Sequence, residues 1–224
     1  MEPSPSVIVF DVNETLSDMA PMASRFTEVG APELLATVWF TALLRDGFAL
    51  TAAGGQESFG RLARGGLEAV LAGASLNRPA SEAADHVLAG FSELSVHPDV
   101  PDGVRVLREA GLRLVTLSNG STDVADRLLT KAGIRDEFER LLSVEDAGAW
   151  KPAPAAYGYA ARACSVPIGN MLLVAVHPWD IHGARRAGMR TGWINRQQTS
   201  YPGYFSAPDL QAPDLDALAR KILS

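Results

Sequence analysis

Continuous apolar runs and amphipathic stretches alternate along this chain. Residues 7–10 (VIVF), 112–117 (LRLVTL), 171–176 (MLLVAV) and 191–195 (TGWIN) are short and rich in β-branched and aliphatic side chains. Such runs predict strands buried on both faces. Between them, residues 103–109, 123–132, 154–164 and 181–188 read as helices. Strands alternating with helices predict βαβ units and a parallel α/β sheet. Residues 17–95 break the alternation. They are rich in Ala, Leu and Gly, and none of them reads as a strand. Residues 33–44, 55–71 and 80–94 read as amphipathic helices, punctuated by Gly54-Gly55, Gly65-Gly66 and Asn77-Arg78-Pro79. The expected organisation is a helical insertion between the first strand and the rest of the core.

Composition changes this picture little but excludes several classes. The chain has 224 residues, 47% apolar and 21% charged, the balance of an ordinary soluble globular protein. Its net charge of −6 argues against nucleic-acid binding driven by bulk charge. The one cysteine, Cys164, excludes an intramolecular disulfide framework and a zinc–cysteine cluster. The longest apolar run, 34–44, is about a third too short to span a bilayer. The opening MEPSPS lacks the basic start of a signal peptide. No membrane partner and a cytoplasmic location are therefore expected. Only Lys131, Lys151 and Lys221 of the 20 basic residues are lysines, which makes a lysine in a special place noticeable.

Ligands of open α/β sheets bind beyond the carboxyl ends of the strands. Here those ends carry Asp11, then Ser118-Asn119, then His177 with Asp180, then Asn195-Arg196. Trp150-Lys151-Pro152 adds a fifth polar element. A carboxylate such as Asp11 just past a buried strand is placed to be a covalent nucleophile. It is also placed to make an Asx turn or cap a helix. Thr15 can orient Asp11 or cap the next segment. Asp180 can orient or activate a water, or cap a helix starting at Ile181. A lysine near Asp11 would keep it ionised, which fits Lys151. Ser118, Asn119 and nearby backbone N–H groups can supply donors to an oxyanion or a substrate carboxylate. The tryptophans Trp39, Trp150, Trp179 and Trp193 read as core or pocket walls, and Cys164 as a core thiol. His86 and His97 lack ligand spacing.

The ordered set of motifs resembles the haloacid dehalogenase superfamily. Phe10-Asp11-Val12-Asn13-Glu14-Thr15-Leu16 resembles its first motif and Leu117-Ser118-Asn119-Gly120 its second. Lys151-Pro152 with Tyr157 resembles its third. The run from Trp179-Asp180-Ile181-His182-Gly183-Ala184 to Trp193-Ile194-Asn195-Arg196 resembles its fourth. The resemblance implies a Rossmann-like core, residues 1–16 and 96–224, with an all-helical cap at 17–95. Within the superfamily, Ser118 to Ser121, Lys151 with Tyr157, Trp179-Asp180 and Trp193 to Arg196 are similar to the (S)-2-haloacid dehalogenases. That implies metal-free hydrolysis: Asp11 displaces halide, and water then cleaves the resulting ester. Lys151, Asp180 and Thr15 would join Asp11 in catalysis. Ser118, Asn119, Asn13, Phe40, Arg45, Tyr157, His177 and Trp179 would bind the small anionic substrate. No cofactor is implied.

The sequence also departs from the pattern. Phosphatases of the superfamily carry a second Asp where this chain has Asn13, and a further Asp at Val176. Both losses argue against efficient Mg²⁺-dependent chemistry, although weak Mg²⁺ binding through Asp11 and Asp180 stays open. The dehalogenase branch usually has Tyr at the Asn13 position and an arginine after a cap tryptophan, where Phe40 follows Trp39. Arg45 is the candidate to replace that arginine. Serine and asparagine near the fourth motif are replaced by Ala175 and His177. His177 can hydrogen-bond halide or water, or pack structurally beside Trp179. Residues 34–44, if exposed, would suggest a homodimer. A Mg²⁺-dependent phosphatase of small esters and a catalytically silent anion-binding relative remain as alternatives.

Overall fold

The computed structural model describes residues 5–224. Residues 1–4, which begin the MEPSPS stretch and the 1–16 segment, lie outside the described residues. Six parallel strands form one sheet: β1 (Val7–Phe10), β2 (Arg113–Ser118), β3 (Arg140–Ser143), β4 (Met171–Ala175), β5 (Arg190–Ile194) and β6 (Leu210–Ala212). Their order is β3-β2-β1-β4-β5-β6. Phe10 lies opposite Thr116 on one side and Val174 on the other. All four residues of β1 are buried, which is why its sequence is continuously apolar rather than alternating.

The side chains of these strands divide between two layers. Ile8, Phe10, Leu114, Leu172, Val174 and Ile194 face helices α5 (Val100–Glu109), α6 (Thr122–Lys131) and α10 (Leu215–Leu223). Beyond the one-turn α7 (Val144–Ala147), α8 (Pro154–Cys164) and α9 (Pro178–Ala187) face Val7, Val9, Val115, Leu117, Leu173 and Trp193. Each fully buried aliphatic side chain contributes about 1.5–3 kcal/mol relative to exposure, so the doubly covered sheet is the main source of stability. The chain leaves β1 toward β2 and β3, then returns to place β4 on β1's other edge. That reversal opens a crevice at the carboxyl ends of β1 and β4.

Between β1 and β2 lie α1 (Met22–Thr27), α2 (Leu35–Ala52), α3 (Phe59–Leu71) and α4 (Ala80–Ser92). They pack their own apolar cluster around Phe26, Trp39, Leu43, Leu67 and Val87, joined from the core by Val144 and Trp150. Trp39 donates its indole N–H to Ala63 O at 2.9 Å. At Gly47 a Cβ would stand 2.4 Å from the Trp150 ring, so only glycine lets α2 lie this close to the core. Among the described residues no helix is long and apolar enough to cross a membrane.

The structure shifts several expected elements. The helix read at 33–44 continues to Ala52, and the one read at 55–71 begins at Phe59, where Ser58 caps it by accepting the Arg61 N–H. Strand β2 is one residue later than expected, and β5 one residue earlier. Strands β3 and β6 begin on exposed or half-buried residues, so neither carries the continuous apolar run that marks the equally short β1. Helix α1, six residues long, is too short to show a helical period. Helix α10 does carry a legible signal: Leu215, Leu218 and Ala219 are buried, and Asp214 accepts the Ala217 N–H at 2.7 Å. Residues 34–44 do not form one exposed face. Trp39 and Phe40 turn inward, while Leu34 and Val38 point to solvent.

Candidate active site

Asp11 leaves β1 into the crevice and is almost fully buried. Its Oδ1 accepts a hydrogen bond from Lys151 Nζ at 2.8 Å, and its Oδ2 accepts one from the Thr15 hydroxyl at 2.6 Å. Thr15 Oγ1 in turn accepts the backbone N–H of Val176 at 3.1 Å. Its role is therefore to fix Asp11 rather than to cap a helix. Lys151 is completely buried between two carboxylates, reaching Asp180 Oδ2 at 2.6 Å as well as Asp11. The other oxygen of Asp180 accepts from the Tyr157 hydroxyl at 2.6 Å.

Asp180 lies inside α9, whose N-cap position is His177, so it does not cap a helix beginning at Ile181. The helix starts three residues earlier than the periodicity indicated, with Pro178 in its first turn. Helix α9 approaches Tyr157 and Pro152 at Gly183, where a Cβ would stand 2.6 Å from the Tyr157 hydroxyl. Gly183→Ala should therefore displace Tyr157 and destabilise the fold by about 1–3 kcal/mol, the usual cost of overpacking. Denaturant unfolding reads the loss, and an unchanged midpoint would show that the contact yields without cost.

The charges of this cluster are set by burial and by each other. Burial works to raise the Asp11 carboxyl, but Lys151, His177 and Thr15 outweigh it and hold it below the ordinary range. Burial raises Asp180, and nearby Asp11 adds to this against the pull of Lys151 and Tyr157. Burial would lower Lys151, yet the two carboxylates outweigh it and keep the ammonium charged. Burial and Asp180 push the Tyr157 hydroxyl well above its usual value, so it remains a neutral donor. One carboxylate is thus a standing anion, and the other takes a proton more readily.

The remaining expected residues separate into several positions. Ser118 Oγ accepts the Gly120 N–H at 2.9 Å, which leaves its own hydrogen to be donated. The Asn119 side chain engages the lysine backbone and keeps one Nδ2 hydrogen to donate. Its Oδ1 accepts the Lys151 N–H at 2.9 Å and its Nδ2 donates to Lys151 O at 3.4 Å, so it clamps the lysine backbone. Asn195 also stands apart, since both ends of its amide bind the backbone of Thr199. Arg196 instead donates to Thr15 O at 3.0 Å and Asp99 Oδ1 at 2.8 Å, bracing the loop after β1. Cys164 is buried in α8, as read.

A cavity of about 480 Å³ is lined by Phe40, Phe48, Trp179, His177, Glu14 and Arg45 among others. Trp179 stacks on His177 at 4.9 Å and meets Phe48 edge-on at 5.0 Å. The Lys151 ammonium stands 6.0 Å from the centre of its ring. Arg45 reaches the rim only, and its guanidinium pairs with Asp46 at 2.8 Å in a largely exposed position. Asp11 does not line the cavity; His177 stands between, its Nε2 3.7 Å from Asp11 Oδ2. Asn13 is buried, and its carbonyl accepts from His177 Nε2 at 3.3 Å. A hollow of about 580 Å³ adjoins through the shared walls Glu14, Met19, Ala36, Thr37 and His177, and it too lacks Asp11, Lys151 and Asp180. Glu14 also lines this cavity, from a left-handed backbone position with φ 61° that spacing does not reveal.

Similarity to known proteins points the same way. A family model described as haloacid dehalogenase-like hydrolase matches residues 5–188. Haloacetate dehalogenase H-2 of Moraxella sp. (strain B) is 36% identical over 132 residues, covering 59% of this chain and 59% of that protein. The (S)-2-haloacid dehalogenase of Pseudomonas sp. (strain YL) is 36% identical over 128 residues, covering 57% and 55% respectively. The matches thus span less than two thirds of either relative's length. A solved L-2-haloacid dehalogenase superposes with a TM-score of 0.92 at 29% identity, covering 99% of this chain and 100% of that one.

Proposed function

The chain belongs to the haloacid dehalogenase-like hydrolase family, and from that premise we propose that it hydrolyses the carbon–halogen bond of short 2-haloacids through an ester on Asp11. The observation that carries this reading is the buried Asp11–Lys151–Asp180 bridge, closed at 2.8 and 2.6 Å. It supplies a charged nucleophile, a fixed cation and a second carboxyl of different proton affinity.

Oδ2 is the attacking oxygen, because it is the one approached by His177, a wall of the cavity, while Oδ1 is tied to the interior lysine. Ser118 Oγ and the backbone N–H of Asn119 hold the substrate carboxylate. Oδ2 displaces halide from the α-carbon and becomes the ester oxygen. The halide departs toward the aromatic wall formed by Phe40 and Trp179. Water then adds to the Asp11 carbonyl carbon and passes its proton to Asp180, the carboxyl that binds one more readily. The negative charge that builds on Oδ1 faces the Lys151 ammonium. The four-helix insertion serves as the cap over this site.

A phosphatase reading gains no support from the geometry, since an ammonium already bridges the two carboxylates that would hold Mg²⁺. Halide release from fluoroacetate, chloroacetate and (S)-2-chloropropionate is expected to proceed in EDTA and to be unchanged by added Mg²⁺. Turnover of an aryl phosphate with Mg²⁺, and no halide release from the three acids, would overturn the reading.

A further inference from the structure

The ester formed on Asp11 must break between the carbonyl carbon and Oδ2, so the departing oxygen needs a proton. His177 faces that oxygen. Its Nε2 lies 3.3 Å from Asn13 O, 3.5 Å from Glu14 Oε2 and 3.7 Å from Asp11 Oδ2. All three are acceptors, so Nε2 carries a hydrogen. Stacking on Trp179 fixes the plane of the ring.

Glu14 completes the arrangement from an unusual backbone position. Its φ of 61° lies in the left-handed region, which residues other than Gly, Asn and Asp seldom adopt. Neighbouring groups hold it there: its N–H donates to Ser17 Oγ at 3.2 Å, and its carbonyl accepts from His97 Nε2 at 3.1 Å. Strain that the surroundings over-determine is a pointer to function.

Resting on the dehalogenase reading, we infer that His177 is the general acid for ester hydrolysis and Glu14 the residue that positions it. Water adds to the carbonyl carbon of Asp11, and one of its protons goes to Asp180. The bond between that carbon and Oδ2 breaks, and its electron pair stays on the oxygen. That oxygen takes the Nε2 proton of His177 and leaves as the hydroxyl of the 2-hydroxyacid. The carboxylic acid left on Asp11 returns its proton to His177, and Asp180 loses its own to solvent. The contact at 3.7 Å is longer than a hydrogen bond, as catalytic contacts often are before substrate binds.

The charged and titratable groups facing His177 are Asp11, Glu14 and Asp18 from the segment after β1, with Lys151 behind Asp11. Glu33 and Arg45 face it from the insertion, and His97 and Arg196 from across the adjoining hollow. Glu14 is the carboxylate among these that contacts Nε2 without being the nucleophile.

The test separates the two chemical steps. His177→Gln keeps a donor but cannot act as an acid. With chloroacetate it should release about one equivalent of chloride and then slow by roughly 10²-fold or more, the usual share of a general acid. The stalled protein should carry one added carboxymethyl group on Asp11 by peptide mass spectrometry. Glu14→Gln should slow the hydrolytic step by loosening the placement of His177, so that the same carboxymethyl adduct accumulates on Asp11. Its burst of chloride should persist, which shows that it folds. Full turnover by either His177→Gln or Glu14→Gln without an adduct would overturn the inference. No chloride from wild type would instead defeat the dehalogenase reading on which it rests.

Discussion

Asp11→Asn should abolish halide release. The amide is close in size to the carboxylate and keeps an oxygen for the Lys151 ammonium or the Thr15 hydroxyl, so the crevice should retain its shape. In the proposed mechanism, what disappears is the anionic nucleophile for the α-carbon. Removing a nucleophile whose partners act as a unit typically costs about 10⁴-fold or more in turnover, roughly 5 kcal/mol of barrier. The variant should also form no covalent adduct with chloroacetate. Chloride assays and intact-protein mass spectra check both statements. Residual activity within about tenfold of wild type would remove Asp11 from the centre of the mechanism.

Lys151→Met should harm both chemistry and folding. In the wild type one buried ammonium bridges two buried carboxylates. Deleting one partner of a buried ion pair costs roughly 3–5 kcal/mol, because the remaining charge stays desolvated. Turnover should fall by about 10²–10³-fold with the loss of the oxyanion's fixed cation.

The pH dependence carries a sign. Asp11 is depressed in the folded protein, so its contribution is full above its unfolded value near 3.8 and is lost as pH falls through the folded value. Without the lysine, burial and mutual repulsion raise both carboxyls instead. Their contribution then exists only at low pH and is lost as pH rises through the raised values. The stability gap between wild type and Lys151→Met should therefore narrow as pH falls from about 7 to about 5. Urea unfolding at several pH values measures it. A gap that stays constant would show that the ammonium does not neutralise these carboxylates.

Much of this molecule is legible in its sequence. The apolar run 7–10 had to be an interior strand, because four consecutive apolar residues can be satisfied only by cover on both faces. Polar residues at the ends of β1, β2 and β4 marked the crevice, since strands of a parallel sheet all open on one side. The scarcity of lysine drew notice to Lys151. Local periodicity also separated the inserted helices from the core.

Other features depend on contacts that spacing does not encode. Lys151 lies 140 residues from Asp11 along the chain, and only the folded sheet brings them to 2.8 Å. That Asn119 also clamps the backbone of Lys151, 32 residues away, is visible only once the chain is folded. Arg45 lines the cavity, and only the folded helix shows its guanidinium paired with Asp46 there. Asp180 looked equally able to cap a helix, and the earlier start of α9 settles that it does not. The facing of Glu14 toward His177 required a left-handed turn held by His97 and Ser17. The sequence determines which residues prefer strand, helix or turn because those preferences are local. Which polar groups meet in the crevice was decided by the tertiary structure, because burial leaves each of them only the partners that packing brings within reach.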